Sequence, residues 1–150
     1  VGDGPSYAGA LQRRVGARRA LALTGTRLSR SDRIRIVSNS VRCSDPSASK
    51  AMHPAVGDEW PAVLPAGERD LGGNARGESW RDVTVHLPGE YHVCWCGAGL
   101  GGCDGDGDFL VHAATLVVKG PDPTPQPQRC VTGVLCTVTV QGTGLSIADR

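Results

Sequence analysis

Ala20-Leu-Ala-Leu-Thr-Gly-Thr-Arg-Leu-Ser-Arg-Ser-Asp-Arg33 aligns without a gap with Thr137-Val-Thr-Val-Gln-Gly-Thr-Gly-Leu-Ser-Ile-Ala-Asp-Arg150. Six of the fourteen positions are identical, pairing Gly25 with Gly142, Thr26 with Thr143, Leu28 with Leu145, Ser29 with Ser146, Asp32 with Asp149 and Arg33 with Arg150. Leu21 and Leu23 align with Val138 and Val140, and these apolar residues alternate with Ala, Thr or Gln, as in a strand with one buried face. The 117-residue offset is the size of one β-sandwich domain. After the first copy the chain continues into Ile34-Arg-Ile-Val37, a second alternating stretch, and the second copy stops where that strand begins. The chain therefore reads as a cut piece of a repetitive protein: a full repeat over 1–120, a Pro-rich linker over 121–129, and the start of a second, truncated repeat over 130–150. Its opening, Val1-Gly-Asp-Gly-Pro5, is neither a start methionine nor a charged-then-apolar leader.

The β pattern extends outward from this stretch. Asp82-Val-Thr-Val-His-Leu87 alternates, and Pro88-Gly89 follows as a turn. Tyr91, Val93 and Trp95 share one face of the next strand, with His92, Cys94 and Cys96 on the other. A Gly/Asp loop over 97–108 leads to two further strands, Phe109-Leu-Val-His112 and Thr115-Leu-Val-Val118, and Gly120-Pro121 closes the repeat. Four prolines in Pro121-Asp-Pro-Thr-Pro-Gln-Pro-Gln128 favour polyproline II and a semi-rigid spacer. Residues 44–79 have no sustained period and read as a long surface excursion.

Composition limits the functional classes. Gly 21 and Pro 10 make up about a fifth of 150 residues, which disfavours a helical bundle. Sixteen Lys/Arg against fifteen Asp/Glu give a net charge of +1, which argues against a nucleic-acid-binding polycation. No apolar run approaches the ~20 residues of a membrane span.

Six cysteines in a Gly-rich β chain read as disulfides and an extracellular or luminal setting. Cys130 and Cys136 flank a short turn, and their counterparts at the 117-residue offset are Arg13 and Arg19, so both cysteines are missing together from the first copy. Cys43, Cys94, Cys96 and Cys103 allow three connectivities, of which Cys43–Cys94 with Cys96–Cys103 is preferred. Cys94 and Cys96 lie on one strand face about 6.5–7 Å apart, too far to bond each other without distortion. The rival reading is a metal site of Cys94, Cys96 and Cys103 with His92 or His112, but Cys-x-Cys is not the usual zinc knuckle.

The remaining constellations are sparser. Asp104-Gly-Asp-Gly-Asp108 puts Asp104, Asp106 and Asp108 at alternate positions, as in an oxygen cage for Ca²⁺, although the Gly and Glu of an EF-hand loop are replaced by Phe109 and Thr115. The plainer reading is a solvated turn. Trp60 and Trp80 are candidates for a sugar-stacking platform or for folding back onto the sandwich, whereas Trp95 falls in register with the core face. Arg13-Arg-Val-Gly-Ala-Arg-Arg19 reads as a solvated basic turn. No nucleophile elbow, phosphate loop or His-Glu-x-x-His run is present, and the four histidines are scattered, so nothing points to an enzyme.

Residues 20–33, echoed at 137–150, together with Pro88-Gly-Glu-Tyr-His-Val-Cys-Trp-Cys96, Cys103, Asp108-Phe109 and Thr115-Leu-Val-Val-Lys-Gly-Pro121, resemble Ig-like repeats of the IPT/TIG type from large surface proteins of protists and algae. Tyr-x-Val-Cys-Trp-Cys is the most specific element of the likeness, which covers about half the repeat. The resemblance implies an all-β, Ig-like antiparallel sandwich strung in tandem, with roles in adhesion, cell coats or extracellular filaments such as flagellar hairs. It implies no catalytic residue. The expected function is thus a non-enzymatic structural module assembling with other copies or subunits. The alternative is an adhesion module that holds glycans, with Ca²⁺ as its only candidate cofactor.

Overall fold

The structure is a computed structural model that describes residues 4–29, 31–46, 64–65, 77–97, 99, 101–122 and 127–149. Its regular structure is β, apart from short 3-10 turns. The strands are β1 (Gly4–Pro5), β2 (Ala10–Arg14), β3 (Arg19–Thr26), β4 (Arg33–Ser38), β5 (Leu64–Pro65), β6 (Gly77–Val83), β7 (Gly89–Cys96), β8 (Val111–Pro121) and β9 (Gly142–Thr143). One sheet has the order β1-β3-β6. The other runs β2-β8-β7-β4-β5, and β9 pairs with the far end of β8. All pairings are antiparallel except β2 with β8.

The N-terminal segment ties the two sheets together. Ser6 N–H donates to Thr24 O in the first sheet (2.8 Å), and the chain then crosses over. Ala8 N–H donates to Ala113 O (2.9 Å), and Thr115 N–H donates to Gly9 O (3.0 Å). From there β2 lies parallel to β8, from Ala10 opposite Thr115 to Arg14 opposite Lys119.

Between the sheets lies one apolar cluster. Leu21, Leu23 and Trp80 enter it from the first sheet, and Ile34, Ile36, Val93, Leu116 and Val118 from the second. Alternation places these residues, with one interruption. The register of β7 and β8 shifts between Val93 and Cys94, and Ala113 and Ala114 are both buried. That bulge resets the period, so Leu116 and Val118 still face inward while His112 and Thr115 fall on the outer face. The two strands expected over 109–112 and 115–118 are thus one, β8.

Tyr91 opens β7 and its hydroxyl donates to Leu87 O four residues upstream (2.9 Å), pinning the turn before the strand. Burial pushes the Tyr91 phenol up from its ordinary value, which keeps it a neutral donor. The Trp95 ring fits between Gly4 and Gly97, where a Cβ on either residue would press on it.

The central strands are buried on both faces, not on one as alternation alone suggests. Arg35 and Val37 on β4 and Cys94 and Cys96 on β7 are all nearly inaccessible. Two loops cover this outer face, and each is held by a disulfide: Cys43–Cys94 draws in the segment after β4, and Cys96–Cys103 the segment after β7. Arg35 Nη2 donates to Asp45 O of the first loop (3.1 Å), and Arg33 Nη1 donates to Cys103 O of the second (3.3 Å).

Two further strand expectations differ from the structure. The strand read over 82–87 lies at Gly77–Val83, so its first three residues belong to the stretch read as a surface excursion. Glu78 and Ser79 are buried beside Trp80, and polar residues in the core mask the period. The ladder ends at Val83, opposite the first residue of β3, and beyond it Gly16 N–H, in the turn before β3, donates to Val85 O (2.8 Å). Similarly, residues 136–140, read as a half-buried strand, are not strand, and Val138 and Val140 are 61% and 60% exposed.

Loop closure sets the expected weight of each staple. Cys43 and Cys94 are 51 residues apart and Cys96 and Cys103 are 7 apart. Chain entropy then gives about 4 kcal/mol for the first and about 2 kcal/mol for the second. Denaturant unfolding of the Cys43→Ala/Cys94→Ala and Cys96→Ala/Cys103→Ala variants should show the larger loss in the first pair.

Candidate functional site

The end of β8 carries two modes of pairing. Over residues 111–118 it pairs with β7, and over 115–119 with β2. At its last two residues it takes β9 instead: Gly120 faces Thr143 and Pro121 faces Gly142. The same dipeptides meet in the same register at the start of the chain, where Gly4 faces Thr26 and Pro5 faces Gly25.

The likeness runs along the whole second copy. Ser6 N–H donates to Thr24 O at 2.8 Å, and Asp122 N–H donates to Gln141 O at 2.7 Å. A Cβ on Gly25 would overlap Gly4 O and Pro5 Cα, and one on Gly142 would overlap Gly120 O and Pro121 Cα. Both Gly-Thr pairs are therefore glycine because another backbone passes too close for a side chain. Arg27 is the one described non-glycine residue with a positive φ, 54°, and its counterpart Gly144 has φ 62°. Ser29 N–H donates to Asp32 Oδ2 (2.8 Å) and Asp32 N–H to Ser29 O (3.0 Å); Ser146 and Asp149 repeat both bonds at 2.6 and 3.1 Å. The turn from Arg14 to Ala17, with Gly16 at φ 70°, matches that from Val131 to Val134, with Gly133 at φ 80°. Even the cysteine difference has a counterpart. Cys130–Cys136 bridges the arms that Arg13 bridges in the first copy, where its Nη2 donates to Ala20 O (3.2 Å).

The copies differ in what covers them. Leu21, Leu23 and Leu28 are 0%, 1% and 1% exposed, whereas Val138, Val140 and Leu145 are 61%, 60% and 38% exposed. A crevice of about 640 Å³ separates the copies beside the end of β8, with Arg14, Val15 and Lys119 on one wall and Leu145, Ser146 and Asp149 on the other.

Of the other residues singled out, Trp80 is 1% exposed and part of the core, so its ring offers no platform to a sugar. Trp60 lies outside the described residues, as do 123–126 of the Pro-rich stretch. Pro121 itself is a strand residue rather than the first of a spacer. Asp104 lies 3.6 Å from the Arg33 guanidinium, and Asp108 Oδ2 accepts from Gly105 N–H (2.8 Å) across a 3-10 turn. Asp104 and Asp108 thus serve a local turn and an ion pair; the side chain of Asp106 is not among those described. Among the described residues no three His, Cys, Asp or Glu side chains gather as a metal group.

The outer face of β7 and β8 carries a cluster that the linear sequence conceals. The rings of His92 and His112 are 4.2 Å apart, and Tyr7 meets His112 edge-on at 5.2 Å. Thr115 Oγ1 lies 3.0 Å from Tyr7 Oη and 3.3 Å from His112 Nε2. Partial burial and then the neighbouring His92 hold the His112 imidazole below its ordinary value, against a contact with the Ala114 backbone.

No family model, curated protein or solved structure matches this chain.

Gly25→Ala should destabilise the fold by about 1–3 kcal/mol, the cost of forcing atoms into a packed contact. Gly142→Ala should release β9 with little change in melting temperature, because the second copy adds little to the core. For His112 the folded value lies below the unfolded one, so the unfolded chain binds more protons below about pH 6.5. Its contribution is neutral above that pH and destabilising as pH falls through it. The drop in denaturation midpoint between pH 7.5 and 5.5 should therefore shrink in His112→Asn.

Proposed function

We propose that the chain is part of a non-enzymatic, extracellular structural protein built from tandem Ig-like modules, and that successive modules share a strand. The reading rests on one observation: Pro121, at the end of β8, pairs with Gly142 as Pro5 pairs with Gly25. The last strand of one module then continues as the first strand of the next. On this reading the module boundary falls at Gly120-Pro121, and Asp122 takes the place in the second module that Ser6 takes in the first.

Several features support an Ig-like sandwich. The first segment switches sheets and runs parallel to the last long strand, and the two sheets share one core. Tyr91 makes the hydrogen bond to upstream backbone that marks the corner of such domains. Three disulfides and no free cysteine suit an oxidising compartment. The open apolar stripe of Val138, Val140 and Leu145 suits a module completed by further strands, since burying each side chain is worth about 1.5–3 kcal/mol. A net charge of +1 lets copies approach without strong repulsion.

Electron microscopy of the full-length protein tests this reading. A row of modules at constant spacing and constant relative rotation is expected. Beads on a freely jointed string, or a single isolated module, would overturn it.

A further inference from the structure

We propose that His92 and His112 form a two-imidazole site for a borderline divalent transition metal such as Cu²⁺ or Zn²⁺. The β8 bulge decides the geometry. An extra residue at Ala113-Ala114 puts His112 and Thr115 on the outer face, and the two imidazoles of neighbouring strands stand 4.2 Å apart there. Two nitrogen donors on one tetrahedral ion, each about 2.0–2.1 Å from the metal, sit about 3.3 Å apart. The ring centroids stand 4.2 Å apart, and rotations about the broad ring torsion of histidine bring one nitrogen of each ring toward that separation.

Oxygen donors converge on the same place. Thr115 Oγ1 contacts His112 Nε2, and Tyr7 Oη contacts Thr115 Oγ1. An ion held at the ring edges, with His112 Nε2 as one donor, replaces the His112–Thr115 contact and has hydroxyl oxygens beside it, with solvent supplying the remaining positions. His112 and Tyr7 are exposed, so an ion reaches the site without any opening of the fold. The cysteines do not compete for it, because Cys94, Cys96 and Cys103 are all in disulfides. Imidazole nitrogen selects Cu²⁺, Ni²⁺ and Zn²⁺ over the oxygen-seeking Ca²⁺ and Mg²⁺, which separates this site from the acidic loop at 104–108.

Calorimetric titration of the oxidised chain with copper, zinc and calcium chlorides tests the proposal. One equivalent of Cu²⁺ should bind more tightly than Zn²⁺, following the usual order of stability. His92→Ala and His112→Ala should each weaken Cu²⁺ binding roughly tenfold or more. His86→Ala, an exposed histidine away from the cluster, should leave it unchanged. Melting curves in the absence of metal check that the variants fold, and Cu²⁺ broadening of the His92 and His112 ring signals in the unaltered chain provides a readout independent of them. Undiminished affinity in His92→Ala or His112→Ala, equal loss in His86→Ala, or broadening at other histidines alone would overturn the proposal.

Discussion

A Gly-Pro backbone lying against a Gly-Thr backbone, too close for any side chain between them, is the contact on which the rest of the molecule depends. At Gly4-Pro5 it starts the first sheet and launches the segment that crosses to the second. At Gly120-Pro121 it holds the second copy to the end of the first. A β-carbon at either Gly25 or Gly142 would overlap the opposing backbone, so the constraint is steric and indifferent to solvent. It fixes the register of both pairings.

Around this contact the molecule uses two kinds of cohesion. Between the sheets, apolar burial is continuous from Leu21 and Trp80 to Leu116. On the outer face of β4 and β7, covalent bonds take over: Cys43–Cys94 and Cys96–Cys103 each hold a loop against strands whose side chains would otherwise meet water. Cross-links that restrict the unfolded chain supplement a core of modest size. Arg35 is the clearest consequence of that cover. It is a charged residue, fully buried, whose guanidinium reaches the carbonyl of Asp45 in the covering loop.

Much of this was legible in the residues, and the exceptions have physical causes. Leu21, Leu23, Ile34, Ile36, Tyr91, Val93 and Trp95 face the core because alternation puts them there. The second copy's likeness to the first was visible as six identical positions, and the backbone repeats it bond for bond over Ser146 and Asp149. β6 was hidden by the buried polar residues Glu78 and Ser79. β8 appeared as two strands because a bulge interrupts its period, and the same bulge hid the approach of His92 to His112. Proline-rich composition draws attention to a spacer from Pro121 onward and away from the recurrence of Gly-Pro 116 residues after Gly4-Pro5. Burial of Trp80 depends on its position opposite Leu21, which composition cannot convey.

The shared strand is most directly tested by nuclear Overhauser contacts between α-protons in solution. Directly opposed residues of an antiparallel pair that lack mutual hydrogen bonds bring their α-carbons to about 4.5 Å. Pro5–Gly25 and Pro121–Gly142 should then show α-proton contacts of equal strength. A strong contact at Pro5–Gly25 with none at Pro121–Gly142 would contradict the account, leaving the second copy untethered from β8.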